Sequence, residues 1–275
     1  MQISIAHSPD SDDYLLFWAL RKRLLDSRGF NFTFETHDTH ALNSIATHGT
    51  KDVVAVSAAL YPKIRTDYKI LSSGASIGRN YGPVIVASSS LSIEELKTKT
   101  ISIPGSSTTS ALVLSKLAPT ANFVELPIEP FERVFQALAS NEVDAALLIH
   151  EGQIAYSMRG FTKVVDLGQW WHAQTKLPLP LGINVIRRSL GTETIGILSE
   201  LFRDSIAYAQ NNLDEVVEDI MLVHKDRQLD FSKENTKKYL SMYANNDTLS
   251  LDSDCKQALS TLLSMELSQS DFTSA

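Results

Sequence analysis

Cysteine is nearly absent: Cys255 is the single one in 275 residues. One thiol closes no intramolecular disulfide and builds no cysteine-based zinc site, so both kinds of scaffold are excluded. Long apolar runs are missing. No stretch approaches the roughly 20 apolar residues that span a bilayer, and membrane insertion is not expected. Basic clusters are missing too. Lys and Arg total 25 against 32 Asp and Glu, a net charge of -7, and no segment carries the positive footprint of a nucleic-acid binder. The N-terminal stretch Met1-Gln2-Ile3-Ser4-Ile5-Ala6 has neither the basic start nor the apolar region of a secretory signal, and passes directly into a strand pattern. A cytoplasmic protein with a small-molecule partner is therefore expected. The remaining composition, 43% apolar and 21% charged, is that of an ordinary globular chain. The length allows one large domain or two medium lobes, each with its own core.

Short apolar runs alternate with helical patterns over the first two thirds of the chain. Gln2–Ala6, Asn31–Thr36, Asp52–Ser57, Tyr68–Ser72, Val84–Ser88, Thr100–Ile103, Phe123–Leu126, Val143–Ile149, Val164–Asp166 and Leu181–Arg187 read as strands. Several are nearly continuous in Val, Ala and Leu, as strands buried on both faces are in a parallel sheet. Between them Tyr14, Phe17, Trp18, Arg21, Leu24 and Leu25 recur at helical spacing, and Phe131, Val134, Phe135 and Leu138 share one helix face. Ser92 with Glu95 forms a capping box that restarts the chain. From Thr192 onward the pattern is helical only, and the tail from Ser268 looks frayed. This order predicts an α/β fold with mainly parallel sheets. The restart near 90 and the Pro-rich return Leu177-Pro178-Leu179-Pro180-Leu181-Gly182 predict two lobes, 1–88 with 183–275 and 89–182, sharing a ligand cleft.

Ligands of open α/β sheets bind beyond the carboxyl ends of strands. His7, Ser8 and Asp10, then Ser57, the stretch Gly105–Ser110, and His150 with Glu151 all follow strands there. Gly105 to Ser110 surrounds a helix N-terminus with hydroxyls, including Ser107, Thr108 and Thr109, and unpaired N–H groups at such an end favour an anion. A plain N-cap is the simpler alternative, but a cap needs one hydroxyl. The loop is no P-loop, since no Gly-Lys-Ser/Thr follows. His150 follows a strand that should be buried, where a neutral imidazole serves either as a base or as a core residue bonded to backbone. Asp10, Asp12 and Asp13 read as N-cap and helix-dipole partners rather than a metal cluster. His37 and His40 make a poor ligand pair. Trp170 and Trp171 either wall a ring-shaped ligand or pack the second lobe. Serine hydrolase chemistry lacks support.

Several stretches together resemble one family. Gly78-Arg79-Asn80-Tyr81-Gly82-Pro83 resembles its Gly-Arg-x-x-Gly-Pro segment, and Pro104-Gly105-Ser106-Ser107-Thr108-Thr109 its Pro-Gly-x-x-Thr-Thr loop. Ile149-His150-Glu151 resembles its Ile-His-Glu strand end, and Trp170-Trp171 with Leu177-Pro178-Leu179-Pro180-Leu181-Gly182 continues the match in order. The family is 1,4-dihydroxy-6-naphthoate synthase, of the futalosine route to menaquinone, and the resemblance covers roughly residues 1–190. It implies a two-lobed fold like the type II periplasmic binding proteins. It implies conversion of cyclic dehypoxanthinyl futalosine to 1,4-dihydroxy-6-naphthoate with loss of a three-carbon fragment, and neither cofactor nor metal. By motif match His150 is the base, and Thr108, Thr109, Ser57 and Asn43 contact the ligand; Ser107 joins them from the same loop. One departure is His7-Ser8-Pro9-Asp10-Ser11-Asp12-Asp13, where many members carry Ser-Pro-Cys-Pro-Asn-Asp. The rivals are chorismate dehydratase on the same fold, expected to lack the Ile-His-Glu end, and a solute-binding or sensor protein, which needs no base.

Overall fold

The computed structural model describes residues 1–128, 131–223, 225 and 232–274. It divides into two compact units, Met1–Ile77 with Pro180–Ala275 and Gly78–Leu179. The divisions were expected at 88/89 and 182/183.

In the first unit the chain runs β1 (Gln2–His7), α1 (Ser11–Arg21), β2 (Asn31–Thr36), α2 (Thr39–Thr47), β3 (Val53–Ser57), α3 (Tyr61–Ile64), β4 (Tyr68–Ile70) and β5 (Ser76–Gly78). The second unit holds β6 (Val84–Ala87), α4 (Ile93–Leu96), β7 (Thr100–Ile103), α5 (Thr109–Leu117), β8 (Asn122–Glu125), α6 (Phe131–Ala139), β9 (Ala145–Leu148), α7 (Gly152–Ala155), β10 (Thr162–Asp166) and α8 (Leu167–Thr175). The chain then returns through β11 (Leu179–Arg187) and ends in α9 (Thr192–Asn211), α10 (Leu213–Val223), α11 (Lys233–Tyr243), α12 (Asn246–Leu249) and α13 (Ser253–Leu263).

Among the described residues the first unit's sheet has strand order β2-β1-β3-β11-β4, with β5 paired to β11. β1 is parallel to β2 and β3, whereas β11 runs antiparallel to β3 and β4. The second sheet has order β10-β6-β9-β7-β8. Its β7 is parallel to β8 and β9, while β6 is antiparallel to both β9 and β10. The sheets are therefore mixed rather than mainly parallel, because strands next to the two crossings run against their neighbours. The early division has a related cause: β6 takes all its partners from the second sheet, so the strand expected to close the first lobe opens the second unit.

α1 is buried on more than one side, as a helix apolar nearly all round must be. Leu16, Phe17 and Leu20 pack with Ile3, Ile5, Val53 and the α9 residues Leu198 and Phe202. Leu15, Trp18 and Ala19 pack with Val216, Val217 and Ile220 of α10 and Leu240 of α11. Each such side chain contributes roughly 1.5–3 kcal/mol on burial. Trp18 also donates Nε1–H to Asp219 at 2.7 Å. The helical tail thus forms the cover of the first sheet. From Ser268 to Ser274 it is not frayed, and Ala275 lies outside the described residues. Asp271 accepts Nε–H and Nη2–H of Arg65 at 2.5 and 2.7 Å, and Phe272 bridges to Ile70 beside β4. The anchors are ionic and backbone contacts, which hydrophobic periodicity does not register.

Candidate functional site

In the second unit β7 and β9 are neighbours running the same way, with Ser102 beside Ala146. The residues that follow them, Gly105–Thr109 and His150–Glu151, therefore leave the same end of the sheet. Val84 of β6 lies opposite Leu148 and opposite Asp166 of β10. That places Gly78–Pro83 and Asp166–Gly168 at this end as well, and Leu167 donates its N–H to the Pro83 carbonyl at 2.8 Å. Four stretches separated in sequence meet at one sheet edge. They fit tightly. A Cβ on Gly168 would lie 1.9 Å from the Tyr81 carbonyl oxygen, and one on Gly78 2.0 Å from the same atom. Asp166 caps α8 by accepting from the N–H groups of Gly168 and Gln169 at 2.9 and 3.1 Å, and burial raises its pKa. Sequence reasoning missed this interlock, although the glycines in both stretches were its signal.

His150 is half-buried and adopts φ +51°. A left-handed residue other than glycine is uncommon, and such conformations cluster at functional sites. The turn places His150 between the end of β9 and α7, next in sequence to Glu151, which is buried. The loop after β7 is built around Thr108. Its hydroxyl donates to the Gly105 carbonyl at 2.8 Å and accepts the Ala111 N–H at 3.3 Å, capping α5. Thr109 is buried and Ser107 half-buried at the same helix end, and Ser106 donates its N–H to Glu125 at 2.7 Å. Trp171 packs inside the unit and donates Nε1–H to the Pro178 carbonyl at 2.9 Å.

The first unit brings Asn43 and Ser57 together. Asn43 accepts the Ser57 N–H at 3.0 Å and donates Nδ2–H to its hydroxyl at 3.2 Å; both residues are buried. Ser57 ends β3 opposite Gly182 of the Pro-rich return. His7, the other strand-end histidine, is unsuited to act as a base. Its Nδ1 lies 2.6 Å from the Ser8 carbonyl, which can only accept, so Nδ1 carries the proton. Nε2 then accepts from Arg21 at 2.5 Å. Burial first, and the Arg21 charge second, lower its pKa to about 3.

Asp10, Asp12 and Asp13 stand where expected, at the N-cap and in the first turn of α1, and they are also held by more distant partners. Asp10 takes the N-cap position of α1 without a side-chain capping bond, and all three are buried. Asp12 accepts from Ser76 at 2.8 Å and from Tyr239 at 3.3 Å; Asp13 accepts the Ser8 N–H at 2.8 Å. The carboxylates lie among elements that pack onto the start of α1, which spacing along one helix does not reveal. Burial, then the Asp12 charge, pushes the Asp13 pKa up to about 7. The native chain thus keeps a proton that an unfolded one, with its carboxyl near 3.8, has released. That stabilisation is full below pH 3.8 and is lost as pH rises to about 7. His7 contributes with the opposite sign, losing stability as pH falls from 6.5 toward 3. Asp13→Asn removes the first contribution and keeps an acceptor for Ser8. Its stability relative to the unsubstituted protein should increase between pH 5 and pH 8 by about 2 kcal/mol or more, read by denaturant unfolding at both pH values. A constant difference would show that Asp13 does not titrate there.

A family model described as menaquinone biosynthesis matches residues 3–266. The chain belongs to the menaquinone biosynthesis family. It is similar to the 1,4-dihydroxy-6-naphtoate synthase of Thermus thermophilus, 33% identical over 260 residues, which cover 94% of this chain and 92% of that one. The crystal structure of protein AF1704 from Archaeoglobus fulgidus matches with a TM-score of 0.85 at 39% identity over 96% of both chains. The CA3427 gene product of Candida albicans, described as exhibiting the generic periplasmic binding protein fold, matches with a TM-score of 0.67 at 14% identity, over 98% of this chain and 93% of that one. At that identity the likeness concerns the fold alone, which is the periplasmic-binding-protein-like α/β fold expected from the sequence. Among the described residues no helix is long and apolar enough to cross a membrane.

Proposed function

We propose that this family member is a 1,4-dihydroxy-6-naphthoate synthase, a carbon–carbon lyase acting on cyclic dehypoxanthinyl futalosine, with His150 as its general base. The observation that carries the assignment of the base is the left-handed turn of His150 at the end of β9, next to the hydroxyl-lined start of α5. Aromatising a spiro-cyclic sugar adduct requires removal of a proton and cleavage of a carbon–carbon bond in a retro-aldol sense. An imidazole supplies the first need and contributes roughly 10²–10⁴-fold. Donors at the α5 N-terminus supply the second by steadying negative charge, both on the developing oxyanion and on the ring carboxylate. In this scheme Ser107 and Thr109 face the anion, Thr108 turns its one O–H from the Gly105 carbonyl to the anion while still capping the helix, and Asn43 and Ser57 are further substrate contacts. The ligand is a soluble small molecule, which suits a cytoplasmic enzyme.

Thr108→Val keeps the shape and removes the hydroxyl. The lost cap should lower stability by about 1 kcal/mol, read by equilibrium unfolding. Substrate affinity should fall about 10-fold or more, the usual consequence of losing a hydrogen bond to a charged group. An unchanged affinity would remove the loop from the binding site. The function itself is tested by offering the purified protein chorismate and cyclic dehypoxanthinyl futalosine in parallel. Consumption of the second alone is expected; turnover of chorismate would assign the dehydratase instead, and turnover of neither would favour a binding protein.

A further inference from the structure

A second polar recess lies within the first unit. It is open to solvent and is lined by Ser72, Ser73, Ser199, Arg203, Ser250 and Thr273 among others. Ser199 and Arg203 stand four residues apart on α9, so they share one helix face. Ser199 is 7% exposed, and its hydroxyl is buried with no hydrogen-bond partner. Buried polar groups are rarely left so, because desolvation without a partner is unfavourable. Arg203 has no ion pair among the described residues. Its acidic neighbours on α9, Glu200 and Asp204, are both held by Arg28, at 2.8 and 2.9 Å. Among the described residues no carboxylate lines the recess.

The walls are fixed. Ser72 donates its hydroxyl to the Thr273 carbonyl at 2.6 Å, and its N–H to the Thr273 hydroxyl at 3.1 Å. Ser72 also accepts the Leu251 N–H at 2.9 Å, next to Ser250. Three chain segments that are remote in sequence are thus tied into one rim around α9. The groups left to act are a guanidinium with no ion pair among the described residues, a buried hydroxyl lacking a partner and further serine hydroxyls. A guanidinium is a donor-only fork that matches oxyanions, and hydroxyls can donate beside it.

We propose that this recess binds a small oxyanion of the phosphate type, either free or as the end group of a phosphorylated metabolite. The anion satisfies the Ser199 hydroxyl, compensates the Arg203 charge and links α9 to the segments around Ser73 and Ser250. The proposal is independent of the assigned lyase activity, since it uses none of the residues placed at that site.

The test is a titration of the full chain with inorganic phosphate at constant ionic strength, followed by calorimetry and by melting temperature. A ligand of the native state raises the melting temperature saturably. Arg203→Gln should weaken phosphate binding about 10-fold or more, Ser199→Ala should weaken it several-fold, and Lys116→Gln, which removes a positive charge in the second unit, should leave it unchanged. Circular dichroism checks that each variant is folded. Phenyl phosphate separates the two sources: binding equal to that of the free ion indicates the end group of a metabolite, and weaker binding the free ion. The proposal is overturned by an absence of saturable binding, by an Arg203→Gln curve that superimposes on that of the unsubstituted protein, or by an unaltered Ser199→Ala affinity.

Discussion

His150→Asn is expected to lower kcat by about 10²–10⁴ while leaving the protein folded and able to bind substrate. Asparagine is the appropriate replacement for a structural reason. Position 150 sits at φ +51°, and asparagine is among the residues that enter the left-handed region most readily. The turn after β9 is therefore preserved, and what disappears is the proton acceptor. An imidazole base works only when unprotonated, so the kcat of the unsubstituted enzyme should decline in acid and that decline should be missing from the variant's residual rate. His7→Asn is the contrasting case. His7 is buried, with both nitrogens engaged by Ser8 and Arg21, so its replacement should lower stability and leave kcat within a few-fold. If the two variants exchange these behaviours, the base has been misassigned.

Gly168→Ala carries the second large effect, on stability. The added methyl would sit 1.9 Å from the Tyr81 carbonyl oxygen and 2.0 Å from its carbon. Both are backbone atoms, so no side chain can rotate away. Overpacking of this kind costs about 3 kcal/mol or more when the neighbour cannot yield. The loop Gly78–Pro83 would have to leave the start of α8, and the shared edge that holds His150 would be disturbed with it, so activity should fall as well. Gly196→Ala is the control. Gly196 lies within α9 with nothing within 4 Å of the new methyl, and the change should stabilise by about 0.5–1 kcal/mol. Denaturant midpoints would read both variants. Equal stability of Gly168→Ala and the parent would contradict the interlock.

Legibility in the sequence followed the kind of force involved. Asn31–Thr36 and Thr100–Ile103 are strands with the boundaries their apolar runs suggest. The capping box of Ser92 and Glu95 forms with both of its bonds. These features depend on neighbours in the chain. β5 escaped notice because three residues with a serine and a glycine carry no strand signal. The division of the units was misplaced because Val84–Ala87 reads as a strand whichever sheet adopts it. The anchored C-terminal segment and the buried Asp10–Asp13 cluster depend on partners far away in sequence, Arg65 for one and Ser76 and Tyr239 for the other. At the candidate site, Ser57 ends β3, and Gly105–Thr109 and His150 leave one end of the second sheet, as the order of the strands suggests. The left-handed turn at His150 and the use of the Thr108 hydroxyl as a cap emerge only from backbone geometry.

The most direct measurement is a mass-resolved time course of the purified protein with cyclic dehypoxanthinyl futalosine. The expected result is loss of substrate matched mole for mole by 1,4-dihydroxy-6-naphthoate, over many turnovers and at a rate proportional to enzyme. Substrate that binds and is recovered intact would contradict the assignment and leave a binding protein on the same fold.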